Sequence, residues 1–154
     1  MKQVPKQINA IIFDWGRTLY DHDNEQLFPE AKEVLEYLSK KYMLAIVSLA
    51  TDGNIAKRWK IIIENDLGKY FDSILFDPED KGRLYEITLQ TLNVKPEEVV
   101  IVDDRTVRGI QWGNEHGTMT IWVKKGKFSN ELPNDQIGQP THTIETLTEL
   151  KTLL

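Results

Sequence analysis

Three apolar runs in the sequence end on a group that can do chemistry, and a fourth such group opens a helix between them. Ala10-Ile11-Ile12-Phe13 runs into Asp14, and Met43 to Val47 runs into Ser48. Val99-Val100-Ile101-Val102 runs into Asp103-Asp104, and Lys81 opens the amphipathic stretch that precedes that last run. Each of these residues by itself reads as a cap or a turn residue. Together they are a carboxylate, a hydroxyl, an ammonium and a carboxylate pair. If the apolar runs are neighbouring strands, all four converge on one sheet edge and could hold a metal ion and a phosphate side by side.

The elements needed to position them follow from periodicity. The continuous apolar runs at 10–13, 43–47, 74–76, 99–102 and 119–123 read as strands buried on both faces. Between them lie helical patterns. One begins at Pro29, with Val34, Leu35, Leu38 and Tyr42 on one face. A second covers Thr51 to Leu67, with Gly68 as its stop. A third runs from Lys81 to Leu92, with Leu84, Ile87 and Leu92 inward, and a fourth from about Arg108 to His116, stopping at Gly117. Lys124 to Pro140 is rich in Gly, Asn, Pro and Lys and reads as a surface loop, followed by a short strand at His142–Ile144 and a helix at Thr146–Leu153. The expected fold is α/β: three layers, a mainly parallel Rossmannoid sheet with helices on both faces, as one domain over residues 1–154. Ligands in such sheets bind beyond the carboxyl ends of the strands.

These residues, in this order, resemble the motifs of the haloacid dehalogenase (HAD) superfamily. Ile11-Ile12-Phe13-Asp14-Trp15-Gly16-Arg17-Thr18 is similar to the strand ending in Asp-x-Asp-x-Thr. Ser48 matches the Ser or Thr that closes the second strand, Lys81-Gly82 the lysine motif, and Asp103-Asp104 the closing acidic pair. The resemblance covers nearly the whole chain. It implies that Asp14 is a nucleophile that becomes an aspartyl-phosphate, and that Mg2+ is held by Asp14, the Gly16 carbonyl, Asp103 and Asp104. Ser48 would bond a phosphate oxygen and Lys81 would balance the charge and hold Asp14 in place. The implied partner is a phosphorylated small molecule or macromolecule.

The departure from the pattern is Gly16, which stands where the phosphatases of the superfamily carry a second Asp. That Asp protonates the leaving group, a service worth roughly 10²–10⁴-fold in rate. Three alternatives stay open: another group (Asp21, His22, Asp23 or Asp52) replaces it; the substrate is an acyl phosphate or similar, with a good leaving group; or the chain is a binding or regulatory module with the metal and phosphate site but weak turnover. Asp21 to Phe28 is too short for a helical cap, and Ser48 to Lys81 holds only about one helix and one strand. No cap domain is therefore expected, which argues against the dehalogenase and phosphonate-hydrolase chemistries of the superfamily. Cap-less members act on large substrates or close their site with a neighbouring subunit, so a homo-oligomer is a further open reading.

Other residues flank the site. Trp15 is a candidate for substrate contact through its ring, with the core as the alternative. Arg17 and Arg105 could receive an anionic group bidentately, the alternative being surface arginines or a partner for Asp103. Trp59, Trp112 and Trp122 are expected to pack in the core or at its edge. His116 reads as a helix-terminal histidine. In 154 residues there are 24 acids against 19 bases, a net charge of −5, and no cysteine. That excludes disulfides and thiolate chemistry and gives no overall pull toward nucleic acid or anionic lipid. No apolar run is long enough to span a bilayer, and Met1 to Asn9, with Pro5, lacks the apolar core of a signal peptide. A cytoplasmic protein is expected.

Overall fold

The structure, a computed structural model, describes residues 7–154; most of the polar segment Met1–Asn9, Pro5 included, lies outside the described residues. Strand β1 (Ala10–Phe13) is followed by a two-stranded antiparallel hairpin of β2 (Tyr20–Asp21) and β3 (Gln26–Leu27), then helix α1 (Ala31–Ser39) and strand β4 (Met43–Leu49). Helix α2 (Ile55–Glu64), strand β5 (Ser73–Asp77), helix α3 (Lys81–Leu92) and strand β6 (Val99–Asp103) continue the alternation. Helix α4 (Gln111–His116), strands β7 (Met119–Val123) and β8 (His142–Ile144) and the short helix α5 (Leu150–Leu153) complete the chain. The six long strands form one parallel sheet in the order β5-β4-β1-β6-β7-β8. The chain moves outward from β1 through β4 to β5, then crosses back to β6 on the other side of β1. That reversal opens a crevice at the carboxyl ends of the central strands.

Period-two burial explains the three layers. Ile11, Phe13, Leu44, Ile46, Val100 and Val102 face Val34, Leu35 and Leu38 of α1, Ile62 of α2 and Leu150 of α5. Ala10, Ile12, Ala45, Val47, Val99 and Ile101 face Leu84, Tyr85 and Leu92 of α3, with Trp112 of α4 against them. Strands lined with apolar side chains on both faces have no stable home except between two helical layers. Among the described residues no helix is long and apolar enough to cross a membrane.

Several local expectations are corrected. The first helix begins at Ala31 rather than Pro29. The second is shorter than 51–67: Asn54 caps it by accepting from the Lys57 N–H, and it ends at Glu64, before Asp66 takes a left-handed φ of 54°. Gly68 instead starts a 3-10 turn. In α3 Ile87 is exposed, whereas Tyr85 and Thr88 are buried, because the sheet-facing stripe runs through 81, 84, 85, 88 and 92. The stretch after β6 is not one regular helix: Thr106–Ile110 forms a π turn that leads into α4. Asp21 belongs to the hairpin, while His22 and Asp23 form its exposed turn. That hairpin is the only structure inserted between β1 and α1, and no cap domain is present among the described residues.

Candidate active site

Sheet register brings the site together. Phe13 is level with Ile46 of β4 and with Val102 of β6, so Asp14, one step on, stands beside Val47 and Asp103. The Asp14 N–H donates to the Val102 carbonyl at 3.0 Å, extending the ladder by one rung. Ser48, within β4 rather than after it, donates from Oγ to Asp14 Oδ1 at 2.8 Å. Lys81 comes up from the first position of α3. Its Nζ lies 3.1 Å from Asp14 Oδ1 and 2.6 Å from Asp103 Oδ2. Asp103 is further fixed by the N–H groups of Arg105 at 3.0 Å and Gly109 at 2.9 Å. The π turn supplies the second of these, and glycine is needed there: a β-carbon on residue 109 would press into Asp103 and the Tyr85 hydroxyl.

All four groups are buried: Asp14 8% exposed, Ser48 3%, Lys81 7%, Asp103 0%, and Asp104 beside them 2%. Lys81 is therefore shared by Asp14 and Asp103, with Asp104 beside them. Burial works against the charged Lys81, but the Asp103 and Asp14 carboxylates outweigh it and hold the ammonium well above its usual range. Burial also opposes the charge on Asp14, yet the Lys81 charge and the hydrogen bonds from Ser48 and Lys81 bring its pKa below the ordinary carboxylate value. Asp14 is thus held as a buried anion. Burial raises Asp103. For Asp104, burial and then the charges of Asp14 and Asp103 push the pKa up to about 10. Its Oδ2 is buried without a hydrogen-bond partner. An unpaired buried charge is strongly unfavourable, so Asp104 keeps its proton unless a cation is supplied. Ligand atoms of Asp14, Asp103 and Asp104 all lie within 4.8 Å of one another, so the three can converge on a single ion.

A cleft of about 160 Å³ opens above Asp14, Gly16, Ser48 and Asp104. Arg17 and Arg105 also line it, each with a carboxylate neighbour: Arg17 to Asp23 at 3.3 Å, Arg105 to Glu131 at 2.9 Å. Arg105 does not pair with the Asp103 side chain; only its N–H does. Trp15 is corrected: its ring is 1% exposed, stacked on Tyr20 at 5.6 Å and edge-on to Phe76, so it is a core residue and offers the cleft no face. Its carbonyl accepts the N–H groups of Leu19 and Tyr20, which ties the loop after β1. Trp122 is buried, donating to the Asp104 carbonyl at 3.0 Å, whereas Trp59 stays 39% exposed. His116 ends α4 and stacks on Trp112, and it is not part of the cleft wall.

Among the cleft residues, three charged or aromatic ones carried no candidate role in the sequence, and a fourth only a shared one. Arg58, from α2, and Arg108, from the π turn, bring guanidinium groups, and Phe128 comes from the 124–140 loop. The fourth, His22, was only one of several candidate replacements for the missing Asp. A β-carbon on Gly16 would stand 2.5 Å from His22 Nε2, so the ring occupies the space a longer residue 16 would use. Partial burial, followed by the charges of Arg17 and Arg58, lowers the His22 pKa and favours the neutral ring. The one sequence signal for this was the short Asp21-His22-Asp23 turn following Asp14.

Comparison with known proteins agrees with this fold. The chain is 29% identical to a glyceraldehyde 3-phosphate phosphatase of Pyrococcus furiosus over 97% of its own length and 62% of that protein's. It is 33% identical to a phosphorylated carbohydrates phosphatase of Thermotoga maritima over 79% of its length and 60% of that protein's. The chain thus spans about three fifths of the length of these relatives. Among solved structures, the HAD-hydrolase YfnB of Bacillus subtilis, bound to magnesium, superposes with a TM-score of 0.79 at 15% identity, covering 97% of this chain and 99% of that one. The L-2-haloacid dehalogenase of Xanthobacter autotrophicus does so at 0.77 and 13%, covering 96% and 98%. The sequence matches the haloacid dehalogenase-like hydrolase family over residues 1–123, and to that family the chain belongs.

Proposed function

We propose that the chain is a magnesium-dependent phosphohydrolase that cleaves a phosphate ester or anhydride through an aspartyl-phosphate at Asp14. The observation that carries this reading is the state of Asp14: a buried, ionised carboxylate gripped on Oδ1 by Ser48 and Lys81, at the floor of an open cleft. The phosphatase names of the relatives support a phosphorylated small molecule as substrate.

Asp14, Asp103, Asp104 and the Gly16 carbonyl would hold the ion, and the partnerless Asp104 oxygen fits that donor set. Hard oxygen donors suit Mg2+, which when bound would screen the repulsion between an anionic nucleophile and an anionic phosphate. The chain's own residues do the rest. Lys81 and Ser48 orient the Asp14 carboxylate, and Ser48 can turn its hydroxyl to a phosphate oxygen. An Asp14 oxygen bonds to phosphorus as the bond from phosphorus to the leaving oxygen breaks, and that oxygen takes the electron pair and a proton. Water then attacks phosphorus, loses a proton, and releases inorganic phosphate and the free Asp14 carboxylate. Residue 16 has no carboxyl to move either proton, which suits substrates with a good leaving group, such as acyl phosphates. The same glycine favours a second reading, a binding module that keeps the phosphate site but turns over weakly.

The test is hydrolysis of a mixed panel of phosphate esters and acyl phosphates with and without Mg2+, beside Asp14→Asn. Metal-dependent release of phosphate that vanishes in the variant, together with its capacity to trap beryllium fluoride, is the expected result. Substantial activity in Asp14→Asn would show that the mechanism is wrong, and no turnover by the wild type would leave the binding module.

A further inference from the structure

Ser48 and Lys81 account for the phosphoryl group, yet the cleft wall above them carries four more cations, Arg17, Arg58, Arg105 and Arg108. Three have carboxylate partners: Asp23 at 3.3 Å from Arg17, Asp52 at 2.8 Å from Arg58, and Glu131 at 2.9 Å from Arg105. None of those three carboxylates lines the cleft. The arginines line the cavity while their carboxylate partners do not, so positive charge gathers on its wall. Arg105 is held as a flat platform by Phe128, whose ring centre lies 3.8 Å from the guanidinium carbon.

Two further details point to a ligand. Among the described residues the Arg108 guanidinium has no hydrogen-bond or ion-pair partner, although Arg108 is half-buried in the cleft wall. Arg17 sits at φ 62°, a left-handed conformation that glycine takes freely and arginine takes only at a cost. Its backbone N–H is held by the Tyr20 carbonyl at 2.7 Å, but its guanidinium has only a 3.3 Å contact to an exposed Asp23, a surface pair of small worth. Strain of this kind, kept next to a nucleophile, is a pointer to function.

We propose that the cleft selects phosphate monoesters whose leaving portion carries a second anionic group, a carboxylate or another phosphate, received by Arg17 and Arg108 over the Arg105 platform. The inference rests on the reading of Asp14 as a phosphoryl-transfer nucleophile. Arginine suits the task because its planar fork meets both carboxylate and phosphate bidentately.

Matched substrate pairs test it. Glycerol 3-phosphate is compared with 3-phosphoglycerate, which adds a carboxylate, and fructose 6-phosphate with fructose 1,6-bisphosphate, which adds a phosphate. The expected ratio of kcat/KM favours the doubly anionic member by on the order of tenfold or more, as charge-assisted hydrogen bonds allow, and the pair with the larger ratio names the anion. Arg17→Gly and Arg108→Gln should each lower that ratio several-fold, mainly through KM. Arg17→Gly should melt no lower than the wild type because it relieves the left-handed φ, so a lost preference cannot come from unfolding. Calorimetry with non-hydrolysable phosphonate analogues of the same pairs gives the ratio at equilibrium and needs no turnover. Ratios near one by both measurements overturn the proposal, as does a fall in both members alike, which would place the arginines on the transferred phosphate instead. Failure of the underlying reading looks different: Asp14→Asn would then keep full turnover, whatever the ratios.

Discussion

Gly16→Asp is the substitution that decides what the missing carboxyl means. Gly16 is not in the left-handed region, so its backbone accepts a side chain. The obstacle is steric: the new β-carbon would lie 2.5 Å from His22 Nε2. His22 is exposed at the tip of the hairpin, and its ring can rotate outward at about 0.5–1.5 kcal/mol for a strained rotamer. General acid–base help of about 10²–10⁴-fold corresponds to roughly 3–5 kcal/mol, so the gain exceeds the obstacle. Gly16→Asp should therefore raise turnover of phenyl phosphate, a poor leaving group, by about 10²–10⁴-fold, and of acetyl phosphate much less. Adding His22→Ala frees the space and should add at most about tenfold more, the equivalent of the rotamer cost. His22→Ala alone, if it slows only the phenyl ester, would mark the ring as the native proton carrier. Steady-state phosphate release on both substrates, with circular dichroism as the fold control, reads all three variants. Equal or lower activity on phenyl phosphate in Gly16→Asp and in the double variant, with the fold intact, would refute the missing-shuttle account.

Asp104 makes the metal-free protein sensitive to pH. Its folded pKa of about 10 lies above the ordinary 3.8, so the folded state keeps a proton that the unfolded chain has lost, and stability falls as pH rises between those values. With chelator present, wild-type Tm should drop relative to Asp104→Asn by on the order of 3–5 °C per pH unit from pH 6 to 9; parallel curves would count against the burial argument. The same variant should weaken Mg2+ binding in calorimetry. Lys81→Met removes the one cation between Asp14 and Asp103 and should cost about 3–5 kcal/mol in denaturant unfolding, with an unchanged midpoint showing that the pairs contribute little. Gly109→Ala drives a methyl into Asp103 and the Tyr85 hydroxyl, so it should lower both Tm and Mg2+ affinity; a neutral effect would mean that the π turn yields easily.

Much of the molecule was legible from local pattern. Runs such as Val99–Val102 can be stable only in a sheet covered on both sides, and their alternation with helical periods of 3.6 prescribes a parallel sheet with its polar residues at one edge. Asp14, Ser48, Lys81, Asp103 and Asp104 were therefore found from residue type and place alone. Helix ends were read less well, since Asn54 and the left-handed Asp66 bound α2 through hydrogen bonds and backbone angles that a stripe of apolar residues does not encode. Ile87 was misplaced because a stripe on α3 can be drawn through more than one set of positions, and only the facing strands select one. The cleft wall was out of reach for a different reason. Arg58, Arg108, Phe128 and His22 come from four separate segments, and of these only His22, in the turn after Asp14, carries a local signal. Whether Trp15 faces substrate or core, whether Asp104 finds a partner, and which ring fills the space above Gly16 are facts of packing between distant parts of the chain. The sequence by itself determined which groups reach the sheet edge; the tertiary structure alone decided which of them are left unpaired there, because pairing depends on distances that only the folded chain sets.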